Sequence, residues 1–166
     1  MGYSISIKGP MKSLIKRILL AGAVIALVAQ AFRPDRTNPA DDPSLSIRRD
    51  PLMTPTVLGL MERACFDCHT NETRWPWYTN ITPVNFLVAR DVAGGRQHIN
   101  LSAWLTHAPA KRASFLEQMY DEVSDGAMPL PPYLLMHSEA SWTDDEKKAF
   151  LDWAAATQDS LMAGME

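Results

Sequence analysis

Both cysteines of this 166-residue chain stand three positions apart, in the run Cys65-Phe66-Asp67-Cys68-His69. A disulfide scaffold needs more cysteines, spread along the chain. A tetrahedral zinc site needs four ligands, and the sequence has neither a second cysteine pair nor a close pair of histidines. A thioredoxin-like redox pair belongs in a β-α-β setting, which the sequence does not show. A local disulfide explains the cysteines and leaves the adjoining histidine unexplained. The two cysteines and the adjoining histidine therefore favour a fold in which these three side chains hold a bound group.

The C-x-x-C-H order is the signature of covalent attachment of c-type haem. Two thiols on one helical turn can each add to one vinyl group of the haem, and the next imidazole then points at the iron from the same side. The sequence predicts one covalent haem c per chain, attached at Cys65 and Cys68 and ligated by His69.

A second axial ligand is expected on the opposite side of the haem. Met128 lies between Gly126 and Pro129, in a stretch without helical periodicity, and a thioether ligates haem iron well. His98, which follows two glycines, is the alternative distal ligand. A methionine that merely fills a gap in the core remains an open interpretation of Met128.

The pattern of apolar residues predicts a mostly α fold. No stretch alternates with a period of two, and the twelve prolines indicate short helices joined by ordered loops. Start signals predict helices from Thr54-Pro55 to about His69, from Thr82-Pro83 to Gly94-Gly95, from about Pro109 to Asp125, and from the capping box Thr143-x-x-Glu146. Several aromatic residues are expected to wall the haem: Trp75, Trp77, Tyr78, Trp104, Trp142 and Trp153.

The N-terminus is typical of an export segment. Lys12, Lys16 and Arg17 precede an uncharged apolar run from Ile18 to Ala29, and a small-x-small site follows. We expect residues 1–31 to be a signal peptide or a signal anchor. Residues 32–51 are expected to be an extended tether, residues 52–158 the haem-binding domain, and residues 159–166 a tail. The protein is then periplasmic, either soluble after cleavage or anchored to the inner membrane.

The net charge of the chain limits the kinds of partner that it can bind. Without the four cations of its first 31 residues, the formal charge of −3 becomes −7. Such a body repels nucleic acid and suits a basic docking face on a redox protein.

From Cys65 to about Trp153, the chain resembles the haem-binding domain family of bacterial cytochrome-c-like proteins. The matching blocks are Cys65-Phe-Asp-Cys-His69-Thr-Asn, Trp75-Pro-Trp-Tyr78, Val84 through Asp91-Val92, Gly95-Arg96-x-His98-x-Asn100-Leu-Ser-x-Trp104, Gly126-x-Met128-Pro-Leu-Pro and Tyr133-Leu-Leu-x-His137. The segment from Phe32 to Pro39 is similar to the one that such proteins place after a membrane element. The resemblance implies a small cytochrome-c-like helical domain, with His69 as the proximal ligand and Met128 as the distal one.

Three classes of function fit these features. Haem with two protein ligands passes single electrons and has no open site, so the sequence favours an electron carrier over an enzyme. A peroxidase-like enzyme needs an open distal position with a polar acid/base group, which His98 with Arg96 could supply. A haem-based gas or redox sensor needs a distal ligand that can be displaced. The state of the sixth coordination position distinguishes the three.

Overall fold

A computed structural model describes residues 9–165 of the chain, and this range contains helices and no strand. The predicted mostly α class is therefore confirmed. The α-helices are α1 Gly9–Ala29, α2 Pro55–Ala64, α3 Phe66–His69, α4 Val84–His98, α5 Pro109–Ser124, α6 Pro131–Leu134 and α7 Asp144–Ala163. Short 3-10 helices cover Ile47–Arg49, Trp77–Asn80, Leu101–Thr106 and Ser138–Ala140.

The helices begin at the capping residues that the sequence predicts. The Thr54 hydroxyl accepts the Val57 N–H at the start of α2. Thr143 and Glu146 form a reciprocal capping box at the start of α7. Gly126 follows α5 with a φ of 72°, a left-handed conformation that glycine adopts without steric cost. These boundaries are local in origin, and the sequence predicted them.

Two predicted helix limits are wrong. The helix predicted to run to His69 is interrupted at Cys65, where φ is −117°, and α3 follows as a separate turn. The second helix does not stop at Gly94-Gly95 but continues to His98. A helix tolerates interior glycine at about 1 kcal/mol. Here Gly95 has a packing role: a Cβ at this position would stand 2.7 Å from the carbonyl oxygen of Cys68.

The described residues divide into two units. The first comprises residues 9–36 and 76–89. Within it, the side chain of Gln30 accepts the Thr82 N–H at 2.9 Å, and Arg36 donates to the Thr79 hydroxyl at 2.8 Å. Leu87, in the first part of α4, is 49% exposed.

The predicted export segment is only partly described. Residues 1–8 lie outside the described range, whereas α1 contains Lys12, Lys16, Arg17 and the apolar run that follows them. Among residues 9–165, no helix combines the length and the apolar character needed to cross a membrane.

The second unit comprises residues 37–75 and 90–165. Helices α5 and α7 pack against each other, and the core includes Leu116 and Phe150. Part of the predicted tether belongs to this unit, since Ile47 is fully buried and buried Asp50 accepts the Trp104 indole N–H at 2.6 Å. The predicted tail is helical to Ala163 in α7, while residue 166 lies outside the described range.

Candidate functional site

A cleft of about 570 Å³ lies within the second unit, lined by residues of α2 to α7 and the loops between them. This volume falls in the range of small-molecule and cofactor sites, roughly 300–1,000 Å³. The cleft brings together every predicted site residue, which are Cys65, Cys68, His69, His98 and Met128. The side chains converge although Met128 lies about sixty positions beyond the cysteines in the chain.

The single turn of α3 sets the spacing of the cysteine motif. The Cys65 carbonyl accepts the N–H groups of Cys68 at 3.2 Å and of His69 at 2.9 Å. Phe66 is buried and packs into the core, and its carbonyl accepts the Thr70 hydroxyl at 2.7 Å. A buried aromatic ring thus holds one side of the turn, which leaves the other side to line the cleft.

His69 is held through its Nδ1 atom. This nitrogen lies 3.0 Å from the Ile99 carbonyl oxygen, and because a carbonyl only accepts, Nδ1 carries the proton. Burial lowers the pKa of His69, hydrogen bonding to the Ile99 and Gly95 carbonyls opposes this, and nearby His98 lowers it further. The neutral tautomer leaves the Nε2 lone pair available to a metal, an arrangement also found in metal-ligating histidines whose second nitrogen is fixed.

Both cysteines are free and line the cleft. Burial and the neighbouring Cys68 raise the pKa of Cys65 to about 12. Burial, together with Asp67 and Asp91, raises the pKa of Cys68 to about 11 against the opposing effect of Arg96. Both side chains are therefore thiols at neutral pH, unlike the thiolates of redox-active pairs. In the described part of the chain, no three His, Cys, Asp or Glu side chains are grouped to hold a metal ion.

Met128 is positioned by the carboxyl end of α5. After the turn at Gly126, the N–H groups of Ala127 and Met128 donate to the Glu122 carbonyl at 2.9 and 3.0 Å. The half-buried side chain of Met128 packs against the core and lines the cleft. The loop that the sequence predicted to carry this residue is thus fixed to the helix before it.

His98 and Arg96 differ in their relation to the cleft. His98 lines the cleft, is exposed, and lies close enough to His69 to lower its pKa. Arg96 does not line the cleft. Its guanidinium donates to the Thr70 carbonyl and the Thr73 hydroxyl, both at 2.7 Å, and ties α4 to the loop that follows His69.

The predicted aromatic wall is wrong for the second unit. Trp104 and Trp153 are buried in its core, where Trp153 donates its indole N–H to the Leu52 carbonyl at 2.8 Å. The aromatic residues that line the cleft are Tyr133 and Phe150. Sequence reasoning missed Tyr133 as a cleft residue, although its place directly after the proline-rich loop was visible.

Sequence reasoning also missed Gly95, Ile99 and Asp67. Gly95 allows the backbone of α4 to approach Cys68, and Ile99 supplies the carbonyl that orients His69. Asp67 accepts a hydrogen bond from the Tyr133 hydroxyl at 3.1 Å. The two glycines were noticed in the sequence, but as a helix stop rather than a close approach.

A comparison with known protein families matches the part of the chain that contains the cleft. The model of the haem-binding domain family matches residues 24–156. No curated protein and no solved structure matches the chain significantly. Because the family match spans most of the chain, including the cysteine motif and Met128, the protein belongs to the haem-binding domain family.

Proposed function

We propose that this protein is a c-type haem protein that transfers single electrons in the periplasm. One haem is bound covalently through Cys65 and Cys68, with His69 and Met128 as axial ligands. One observation carries the proposal: a single cleft of about 570 Å³ is lined by two free thiols, the oriented imidazole of His69 and the thioether of Met128.

The residues of the cleft fit a covalent haem. Cys65 and Cys68 lie on one side of a single helical turn, and both thiols are protonated at neutral pH. The hydrogen bond from Nδ1 of His69 fixes the ring and leaves Nε2 as the donor atom. The order and spacing of these three residues are those of the c-type attachment motif.

Met128 fits the distal position better than His98. The Met128 loop is fixed by two backbone hydrogen bonds to the end of α5. His98, in contrast, is exposed and directly precedes Ile99, whose carbonyl holds the Nδ1 side of His69 rather than the Nε2 side. Haem with His/Met ligation supplies a one-electron couple of relatively high potential. A fixed Met128 loop suits that role, since little in the protein then has to move between the two oxidation states.

The enzyme and sensor alternatives have less support. A peroxidase-like site needs an open distal position and a polar acid/base group above it. Arg96, the expected partner of His98 in such a site, is engaged with the loop after His69. These alternatives are outcomes of the test below.

The proposed location of the protein is supported by its N-terminal segment, and the proposed partner is supported by its net charge. The cationic start and apolar run of α1 support export. The cleft is lined by Asp121 and Glu122 and by an Arg90–Asp91 ion pair, and the chain beyond residue 31 has a formal charge of −7. These charges support docking to a redox protein with a basic face.

The test is the optical spectrum of the exported protein, co-expressed with a c-type haem maturation system. We expect haem that remains bound on denaturation, low-spin bands, a Met-to-iron charge-transfer band, and no change when carbon monoxide is added to the reduced protein. Carbon monoxide binding by the unaltered protein would instead support an enzyme or sensor, and absence of covalent haem would reject the proposal.

Two methionine variants locate the distal ligand. Met128→Ala should keep covalent haem, lose the charge-transfer band, lower the reduction potential and bind carbon monoxide. Met119→Ala is the matched control, because Met119 is also half-buried and lines the cleft from α5. Equal behaviour of the two variants would contradict the assignment of Met128.

A further inference from the structure

The loop that carries Met128 is fixed at both of its ends. At its start, the N–H of Met128 donates to the Glu122 carbonyl of α5. At its end lies Tyr133, which lines the cleft and whose hydroxyl donates to Oδ2 of Asp67 at 3.1 Å. The two attachments hold the short segment between them, including Pro129 and Leu130 of the cleft lining.

The acceptor of the second attachment lies within the cysteine motif itself. Asp67 stands between the two cysteines, and its side chain is 12% exposed. Its other oxygen, Oδ1, accepts the backbone and side-chain N–H groups of Arg74, both at 3.3 Å. These two hydrogen bonds orient the carboxylate, and its other oxygen, Oδ2, accepts the hydrogen bond from the Tyr133 hydroxyl.

The ring of Tyr133 has its own support. It stacks on His137 with the ring centroids 4.1 Å apart and the planes 12° from parallel. Removal of the hydroxyl alone leaves this stacking possible, so the hydrogen bond to Asp67 can be tested separately from the packing of the ring.

We propose that Tyr133 is a positioning residue for the distal ligand, acting through its hydrogen bond to Asp67. This bond ties the Met128 loop to the turn that carries Cys65, Cys68 and His69. The Met128 loop and the turn of the cysteine motif are thereby held at one separation. The inference rests on the proposed function, because it requires Met128 to be the distal ligand. Without the bond, the loop loses its attachment to the turn of the cysteine motif, and an external ligand competes more easily with Met128.

The test is titration of the oxidised holoprotein with imidazole, followed through the shift of the main haem absorption band and, where Met128 is present, through the loss of the Met-to-iron band. Tyr133→Phe should bind imidazole about tenfold more tightly than the unaltered protein, the equivalent of about 1.4 kcal/mol. Tyr120→Phe is the matched control, since Tyr120 lies exposed on α5 and loses the same hydroxyl. The control should bind imidazole as the unaltered protein does.

A purely structural role predicts a different pattern. If the hydroxyl only stabilises the fold, Tyr133→Phe lowers the unfolding midpoint and leaves the imidazole affinity unchanged. That result would overturn the inference. Asp67→Asn provides a second, independent variant, and it should also tighten imidazole binding. In the double variant with Tyr133→Phe, the two effects should not add, because both remove one interaction. Full additivity would overturn the role of the bond.

The two proposals fail in different ways. If Met128→Ala opens the site and Tyr133→Phe behaves like Tyr120→Phe, the inference fails and the electron-carrier proposal stands. If Met128→Ala binds imidazole no more tightly than the unaltered protein, Met128 is not the ligand and both proposals fail.

Discussion

The close approach of α4 to the cysteine motif gives the sharpest prediction, at Gly95. A Cβ at this position would stand 2.7 Å from the Cys68 carbonyl oxygen, 3.1 Å from its carbonyl carbon and 3.3 Å from its Cβ. Two of these atoms are backbone, held by the α3 turn, so neither can move away as a flexible side chain would. Gly95→Ala must therefore displace α4 or the motif by several tenths of an ångström.

The magnitude is the balance of two effects. Alanine in place of a helical glycine stabilises by about 0.5–1 kcal/mol. Overpacking of a close contact costs about 1–3 kcal/mol. We therefore expect Gly95→Ala to lower the free energy of unfolding by about 1 kcal/mol.

Gly59→Ala is the matched control. Gly59 lies within α2, away from the cleft, and an added Cβ would meet no atom within 4 Å. The control should gain the full stabilisation of about 0.5–1 kcal/mol. Gly94 is less suitable, because it lines the cleft and an added methyl group would enter the space of the bound group.

The assay is urea unfolding of each holoprotein, together with the yield of covalent haem. Gly95→Ala should unfold at lower urea than the unaltered protein and incorporate less haem, since Cys68 and His69 share the displaced turn. Gly59→Ala should unfold at higher urea with full haem yield. Equal stabilisation by both substitutions would refute the steric reasoning.

Three further predictions concern other contacts. His98→Ala should leave the low-spin spectrum unchanged, whereas loss of that spectrum would identify His98 as the distal ligand. Trp104→Phe removes an indole donor from buried Asp50 and should destabilise by about 2 kcal/mol in urea unfolding; an unchanged midpoint would contradict this. A hydrogen bond from the Thr143 backbone N–H lowers the pKa of Glu146 below its ordinary value of 4.5. The ionised Glu146 side chain therefore contributes to stability above pH 4.5, and this contribution is lost as the pH falls through the lowered pKa. Glu146→Gln should therefore unfold at a lower temperature at neutral pH and lose less stability on acidification, and parallel pH profiles would refute the assignment.

The sequence predicted the parts of the site that depend on neighbouring residues. The spacing of Cys65, Cys68 and His69 is local, and so are the caps at Thr54 and Thr143. Each depends on side chains within about one helical turn, so residue type and order suffice to predict them. Met128 was predicted as the distal ligand because glycine and proline mark its loop; the structure places it in the cleft lining, and its ligation of haem stays a prediction.

Residues 47–50 show why local composition is not enough to predict that a segment is an extended tether. The proline-rich, charged stretch before them indicated a tether, and its final residues are part of the core. Ile47 is fully buried, and Asp50 pairs with Arg112 at 2.9 Å across more than sixty positions of sequence. A polar composition shows that a segment can be solvated, but not whether a distant cation will pair with it.

The sequence alone thus determined the spacing of Cys65, Cys68 and His69, the helical class and most helix starts, because each is a property of a short run of residues. Only the tertiary structure decided that Gly95 lies against Cys68, that Ile99 orients His69, and that Tyr133 reaches Asp67. These contacts join residues 27 to 66 positions apart. They exist because burial of the helices' apolar faces brings distant segments together, and no local pattern specifies which backbone atoms then meet.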